Sequence, residues 1–219
     1  AKIAVQLVRE GKADIPMKGI LQTSNFARAI LNKETGLIPT GGPRLVSQCG
    51  IFEYEGRFVM ITDAAINIAP DVETQIGIVE NALPVARALG IDCPKVAVLS
   101  AVENVTDKMP STVSAKEIAE RGVEGCVISG PLALDGAISM ESVKHKAIHD
   151  PVAGQADILL VPFIEIGNVL YKACTYIAGK TMASTICGAS CPVIITSRAD
   201  TPDSKYYSIL MAVLRCLKA

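Results

Sequence analysis

The chain has 219 residues, a length that suits one large or two small domains. Half of its residues are hydrophobic but only 4% are aromatic and none is Trp, so the core must be aliphatic, as in a buried parallel sheet flanked by helices. Lys+Arg number 21 against 22 Asp+Glu, a near-neutral balance that argues against nucleic acid as a main partner, because phosphate backbones select basic surfaces.

Residues 1–11 follow a helical pattern, with Ile3, Val5, Leu7 and Val8 apolar and Gly11 as C-cap. A brief strand over 15–17 leads into Lys18-Gly19, and Thr23 or Ser24 is expected to N-cap a helix to Asn32. Residues 37–43 read as loop, and 44–54 as a strand pairing with 58–62 around Glu55-Gly56. Pro70-Asp71 starts a long helix over 72–89 despite Pro84. A strand over 95–100 follows, then a capping box from Ser114 to Glu117 opening a helix to Arg121. Residues 126–129 read as a strand closed by Gly130-Pro131, Asp135-Gly136 as a turn, and Ser139 with Ser142 as the start of a short helix toward Ala147. Residues 202–217 form the closing helix.

The stretch 157–200 organises the rest. Residues 157–161 are a short β-branched run ended by Pro162. Gly167-Asn168 then opens a segment of helical spacing, closed by Gly179. A second apolar run over 192–195 delivers Thr196-Ser197-Arg198 at its carboxyl end. Strand, crossover helix and strand make a βαβ unit, which places ligands beyond the carboxyl ends of its strands. Alternating strands and helices along the chain predict an α/β fold with a largely parallel sheet.

A hydroxyl beside a guanidinium, as in Ser197-Arg198, can hold and polarise a small anion; the plainer reading is a helix cap beside a surface charge. Thr23 and Ser24 can present hydroxyl and helix N–H groups to an anion, or serve as ordinary caps. Ser129-Gly130 and Gly167-Asn168 read as strand-to-helix turns at the carboxyl edge, candidates for ligand contact. Asp200 and Asp203 also read as helix N-terminal charges. His145 and His149 have no third ligand in view, and Cys187 with Cys191 lacks partners at zinc spacing, so no metal site is expected. The seven cysteines are odd in number and mostly set in apolar runs, as in a reduced cytoplasmic protein. No run of about 18 apolar residues and no signal-peptide pattern is visible, so no membrane association is expected. Neither a phosphate-loop nor a dinucleotide fingerprint occurs.

LLVPFIEIGNVLYKA followed by CPVIITSRAD resembles the C-terminal signature of the phosphate acyltransferases, the phosphotransacetylase and phosphotransbutyrylase group. The T-S-R-A-D strand end is closer to the butyryl branch, and the resemblance runs along nearly the whole chain. It implies two α/β domains with largely parallel sheets and an interdomain cleft, an architecture related to isocitrate and isopropylmalate dehydrogenases. Residues 1–54 and 185–219 would form one domain and 55–184 the other.

The resemblance further implies acyl-CoA and inorganic phosphate as substrates, coenzyme A being a substrate and no cofactor being required, and a homo-oligomer in the cytoplasm. It places Ser197 and Arg198 at the acyl-transfer site, with Arg44 facing the cleft opposite them. The acetyl-transferring relatives carry an Asp seven positions after the Ser; here that position is Ser204, leaving Asp203 or Asp200 as base. Relatives are usually longer at the N-terminus, so a missing segment carrying part of the ligand site is expected. A phosphate acetyltransferase and a non-catalytic module binding CoA or anions are the alternatives. A dehydrogenase of related architecture would need clustered metal-binding aspartates, which the sequence lacks.

Overall fold

The computed structural model describes residues 1–39 and 44–217. Six strands, β1 (Ser47–Tyr54), β2 (Arg57–Thr62), β3 (Lys95–Leu99), β4 (Val127–Leu132), β5 (Ile158–Leu160) and β6 (Ala183–Cys187), form one sheet in the order β4-β3-β5-β2-β1-β6. Strands β2 to β5 are mutually parallel, while β1 runs antiparallel to both β2 and β6. The expected α/β fold with a largely parallel sheet is therefore observed.

The sheet strands carry apolar side chains on both faces, which is why their sequences read as continuous runs. Met60, Val96, Val98, Ile158 and Leu160 turn to one core. Val59, Ile61, Ala97, Leu99 and Leu159, one residue out of phase, turn to the other. Helices α3 (Val72–Ala88), α4 (Pro110–Arg121) and α8 (Pro202–Leu217) cover the first face. Helices α5 (Leu134–Ile138), α6 (Met140–Lys146) and α7 (Ile164–Lys172) cover the second. A third cluster joins α1 (Lys2–Arg9) and α2 (Thr23–Ile30) to Val46, Ile186 and Val193. Among the described residues, no helix is long and apolar enough to cross a membrane.

The β1–β2 hairpin, at the expected 54–57 boundary, turns through Glu55 (φ 50°) and Gly56 (φ 78°). Two successive left-handed residues give the turn hand that matches strand twist. β1 continues on its other side into β6, so hydrogen bonding of the sheet crosses both expected domain boundaries.

Several local expectations are corrected. The crossover from β5 through α7 ends in β6, not in the 192–195 run, which makes only two isolated bridges, Ile186 to Val193 and Met17 to Ile194. The 15–17 strand is likewise a single bridge. The cap of α2 is Gln22, with no side-chain cap bond, so neither Thr23 nor Ser24 caps it. Helix α4 starts at Pro110, and the supposed cap Ser114 lies inside it, bonding back to the Pro110 carbonyl at 3.2 Å. Ser129-Gly130 is not a strand-to-helix turn: β4 continues through it to Leu132. Asp135-Gly136 is helical, within α5. Gly167-Asn168 lies one turn inside α7, which starts at Ile164. Part of the predicted 37–43 loop, residues 40–43, lies outside the described residues.

Candidate active site

The connection leaving β2 passes over one face of the sheet and that leaving β5 over the other, because α3 and α7 lie on opposite sides. Neighbouring parallel strands whose connections diverge leave a crevice at their carboxyl ends. A cavity of about 480 Å³ opens there. Its walls are Ala64–Ile66 after β2, Asn168 and Tyr171 of α7, Ala27 and Ile30 of α2, and residues 195–197 with Asp200. Its floor is the β1–β6 ladder, through Gln48 and Ser184.

Asp63, buried at the end of β2, fixes the 64–66 wall. Its carboxylate accepts N–H bonds from Ala65 (2.9 Å), Ile66 (3.1 Å) and Asn67 (3.0 Å), and from Gln48 at 3.2 Å. Burial raises its pKa, with these hydrogen bonds opposing. Gly167 lets α7 approach this wall: a Cβ there would lie 2.6 Å from the Asp63 carbonyl oxygen and 2.9 Å from Ala64 Cα. Asn168 Nδ2 then donates to the Ala64 carbonyl at 3.2 Å. Past Lys172 the helix widens into a π turn, Ala173–Ile177, which carries Thr175 and Tyr176 into the cavity wall; such turns recur at functional sites.

On the floor, Gln48 Nε2 donates to Ser184 Oγ at 2.8 Å. The Tyr171 ring lies over Gly50, where a Cβ would come within 2.6 Å of it. Burial holds the Tyr171 phenol well above its ordinary pKa, the Asp200 carboxylate adds to this, and hydrogen bonding by Ser184 opposes it.

Of the sequence-predicted residues, Ser197, Thr23 and Asn168 meet around this cavity. Ser197 is exposed; its N–H donates to Asp200 Oδ2 at 2.6 Å and its Oγ accepts from the Ala199 N–H at 3.3 Å. Arg198 is exposed and does not line the cavity. Its charge acts on Lys18, whose pKa is lowered first by burial and second by this guanidinium. Lys18 is buried, with Nζ donating to the Gly19 carbonyl at 3.2 Å.

The other predicted residues lie outside the lining. Arg44 Nη2 donates to the Lys33 carbonyl at 2.9 Å, on the surface. Ser24 and Asp203 are exposed, the latter in the first turn of α8. Ser129 and Gly130 lie in the edge strand β4, at the opposite side of the sheet, with Gly130 packed on Val98. Ser204, seven positions after Ser197, is buried, and its Oγ accepts from the Met182 N–H at 3.3 Å. Sequence reading missed Gln48, Tyr171 and Ser184, because strand interiors and a helix face carry no local sign of a ligand.

The cavity is mostly apolar, carries the hydroxyls of Thr23, Thr175 and Ser197 and balances Lys172 against Asp200, a lining that suits a small-molecule substrate. Among the described residues, no cluster of three or more His, Cys, Asp or Glu side chains could hold a metal ion. A family model described as phosphate acetyl/butaryl transferase matches residues 1–213. The phosphate butyryltransferase of Clostridium acetobutylicum is 46% identical over 217 residues, 96% of this chain and 71% of that protein. That of Clostridium beijerinckii is 48% identical over 217 residues, with the same coverage. The crystal structure of a branched-chain phosphotransacylase from Enterococcus faecalis V583 superposes with a TM-score of 0.90 at 42% identity, covering 98% of this chain and 78% of that one. The chain belongs to the phosphate acetyl/butaryl transferase family and is an acyltransferase.

Proposed function

We propose that the protein interconverts a short-chain acyl-CoA and inorganic phosphate with the acyl phosphate and CoA, with butyryl or a branched short chain preferred. The observation that carries this is Ser197 of the family-like T-S-R-A-D segment lining the strand-end cavity. The names of the similar proteins, two phosphate butyryltransferases and a branched-chain phosphotransacylase, favour this acyl group over acetyl.

In the direction of thioester formation, a base takes the CoA thiol proton and the thiolate attacks the acyl phosphate carbonyl. The C–S bond forms, the C–O bond breaks and phosphate leaves. Arg198 neutralises the phosphate, Ser197 donates to the carbonyl oxygen or sulfur, and Arg44 adds positive charge if the cleft closes. A thiol of pKa near 8.5 needs only a modest base. Asp200, which lines the cavity, is better situated for this than Asp203, which does not.

The same reading holds that no cofactor is needed and that the protein works in the cytoplasm as a homo-oligomer. It also divides the chain into 1–54 with 185–219 and 55–184. The third core cluster supports this division: all its buried members come from the first unit.

The test is release of CoA from acetyl-, butyryl- and isobutyryl-CoA, each with and without phosphate, in the wild type and in Arg198→Ala. Phosphate-dependent release that falls by about a hundredfold in the variant supports the reading, and the preferred thioester names the acyl group. Release with acetyl-CoA alone makes the protein a phosphate acetyltransferase. CoA binding without release makes it a non-catalytic binding module.

A further inference from the structure

Cys93 and Cys126 stand side by side where β3 and β4 begin. Lys95 pairs with Val127 in the parallel ladder, and the Val127 N–H donates to the Pro94 carbonyl at 3.0 Å. Pro94 and Cys126 are therefore level across the two strands, with Cys93 one residue further back. Neighbouring strands lie about 4.8 Å apart and rise about 3.3 Å per residue. One step of offset thus puts the two cysteine Cα atoms about 6 Å apart, inside the span of roughly 4.4–6.8 Å that a disulfide bridges.

The approach of the chain agrees. It reaches β3 from α3 by way of Ile91, which packs against the core beneath that helix, and Cys126 packs against the same core. The Cys126 Sγ is held only by a weak bond to the Val123 carbonyl at 3.4 Å. Both sulfurs are free thiols, Cys93 exposed and Cys126 half-buried. Burial pushes the Cys126 thiol up to about 11, and the neighbouring Cys93 sulfur adds to the rise. A solute oxidant meets the exposed thiol first, and a half-buried thiol beside it is placed to resolve the product.

We propose that Cys93 and Cys126 are an oxidisable pair that closes to a disulfide when the protein meets a hydroperoxide. The Cys93 thiolate attacks one peroxide oxygen: an S–O bond forms, the O–O bond breaks, and the departing hydroxide takes a proton to become water. The peroxide is reduced and Cys93 is oxidised to its sulfenic acid. The Cys126 sulfur then attacks the Cys93 sulfur, the S–S bond forms, and the S–O bond breaks as the hydroxyl leaves with the Cys126 proton as a second water. In sum, two thiols and one hydroperoxide give one disulfide and two waters when the peroxide is hydrogen peroxide. The bond ties the edge strand β4 to β3 at the amino ends of the strands, away from the cavity at their carboxyl ends. Closure also keeps the exposed sulfur from running on to the irreversible sulfinic acid. This modification site is independent of the acyltransferase reading.

The test is treatment of the reduced wild type with a stoichiometric amount of hydrogen peroxide, alkylation in denaturant, and peptide mapping by mass spectrometry. The expected principal product is a peptide pair linked through Cys93 and Cys126 that separates on reduction with dithiothreitol. In Cys126→Ser the resolving thiol is gone, and Cys93 accumulates as sulfinic acid instead. In Cys93→Ser, Cys126 remains an alkylatable thiol after the same treatment. The oxidised wild type melts about 5 °C above the reduced protein, because the new bond closes a long loop that contains β3 and α4. The mapping needs only the wild type, so it decides the matter even if a variant fails to fold. Cys93 recovered as sulfinic acid beside an unmodified Cys126, Cys93 linked to any other cysteine, or both thiols still alkylatable after peroxide would each overturn the proposal.

Discussion

The backbone N–H of Ser197 donates to Asp200 Oδ2 at 2.6 Å, so the carboxylate sets the conformation of the segment that carries the Ser197 hydroxyl. Asp200→Ala releases that segment. Because a displacement of about 1 Å at a reacting group can cost on the order of a hundredfold in rate, kcat/KM for phosphate-dependent acyl transfer should fall by about 10- to 100-fold. The bond is exposed, so thermal stability should change little. A large fall in melting temperature would reassign Asp200 to folding.

Ser204, seven positions after Ser197, is held in place: its Oγ accepts from the buried Met182 N–H and its backbone N–H bonds Thr201 Oγ1 at 3.2 Å. Ser204→Ala leaves the Met182 donor unpaired and should cost about 1–3 kcal/mol in chemical denaturation. Activity per folded molecule should stay near wild type. A selective loss of turnover at unchanged stability would show that this hydroxyl acts in the chemistry.

Gly167→Ala improves helix propensity on paper but drives a Cβ to 2.6 Å from the Asp63 carbonyl oxygen and 2.8 Å from Val161 Cγ2. Backbone atoms cannot yield as a flexible side chain does, so the expected cost is about 1–3 kcal/mol. Substrate KM should also rise, because Asn168 and Tyr171 move with the helix. An unchanged or raised urea midpoint would mean that α7 is free to shift.

The Cys187 thiol is fully buried, and burial pushes its pKa up to about 11 from an ordinary 9.0, only partly offset by Arg215. For an acid raised in the folded state, the native chain keeps its proton where the unfolded chain has lost it. Stability is therefore intact below about pH 9 and falls as the pH climbs toward about 11. Chemical denaturation at pH 8 and 10.5 should show a smaller alkaline loss in Cys187→Ala than in wild type. At pH 8, Cys93 and Cys216, both exposed, should react with thiol reagents well before Cys49 and Cys187.

The parallel strands were legible in the sequence because two-sided burial writes itself as unbroken apolar runs, as in Val96–Val98 and Ile158–Leu160. β6 was not. Its Ser184 and Thr185 look like turn residues, and their partners are remote: the Ser184 N–H donates to Ser208 Oγ at 2.9 Å, and Thr185 Oγ1 accepts from Arg215 at 3.1 Å. The 192–195 run misled in the opposite direction, being apolar because it packs beneath α1 and α2 rather than because it joins the ladder. At the site, Ser197 was readable from its neighbours in sequence. The floor was not, since Gln48 and Ser184 stand 136 residues apart and only the β1–β6 pairing joins them.

On β1, Gln48 and Gly50 look toward the cavity, while Cys49 and Ile51 look into the core beneath α3 and α8. Strand side chains alternate, so a slip of one residue against β6 would present a thiol and a bulky aliphatic where an amide and bare backbone now lie. The chemistry of this pocket's floor is thus written in how two strands are indexed against each other.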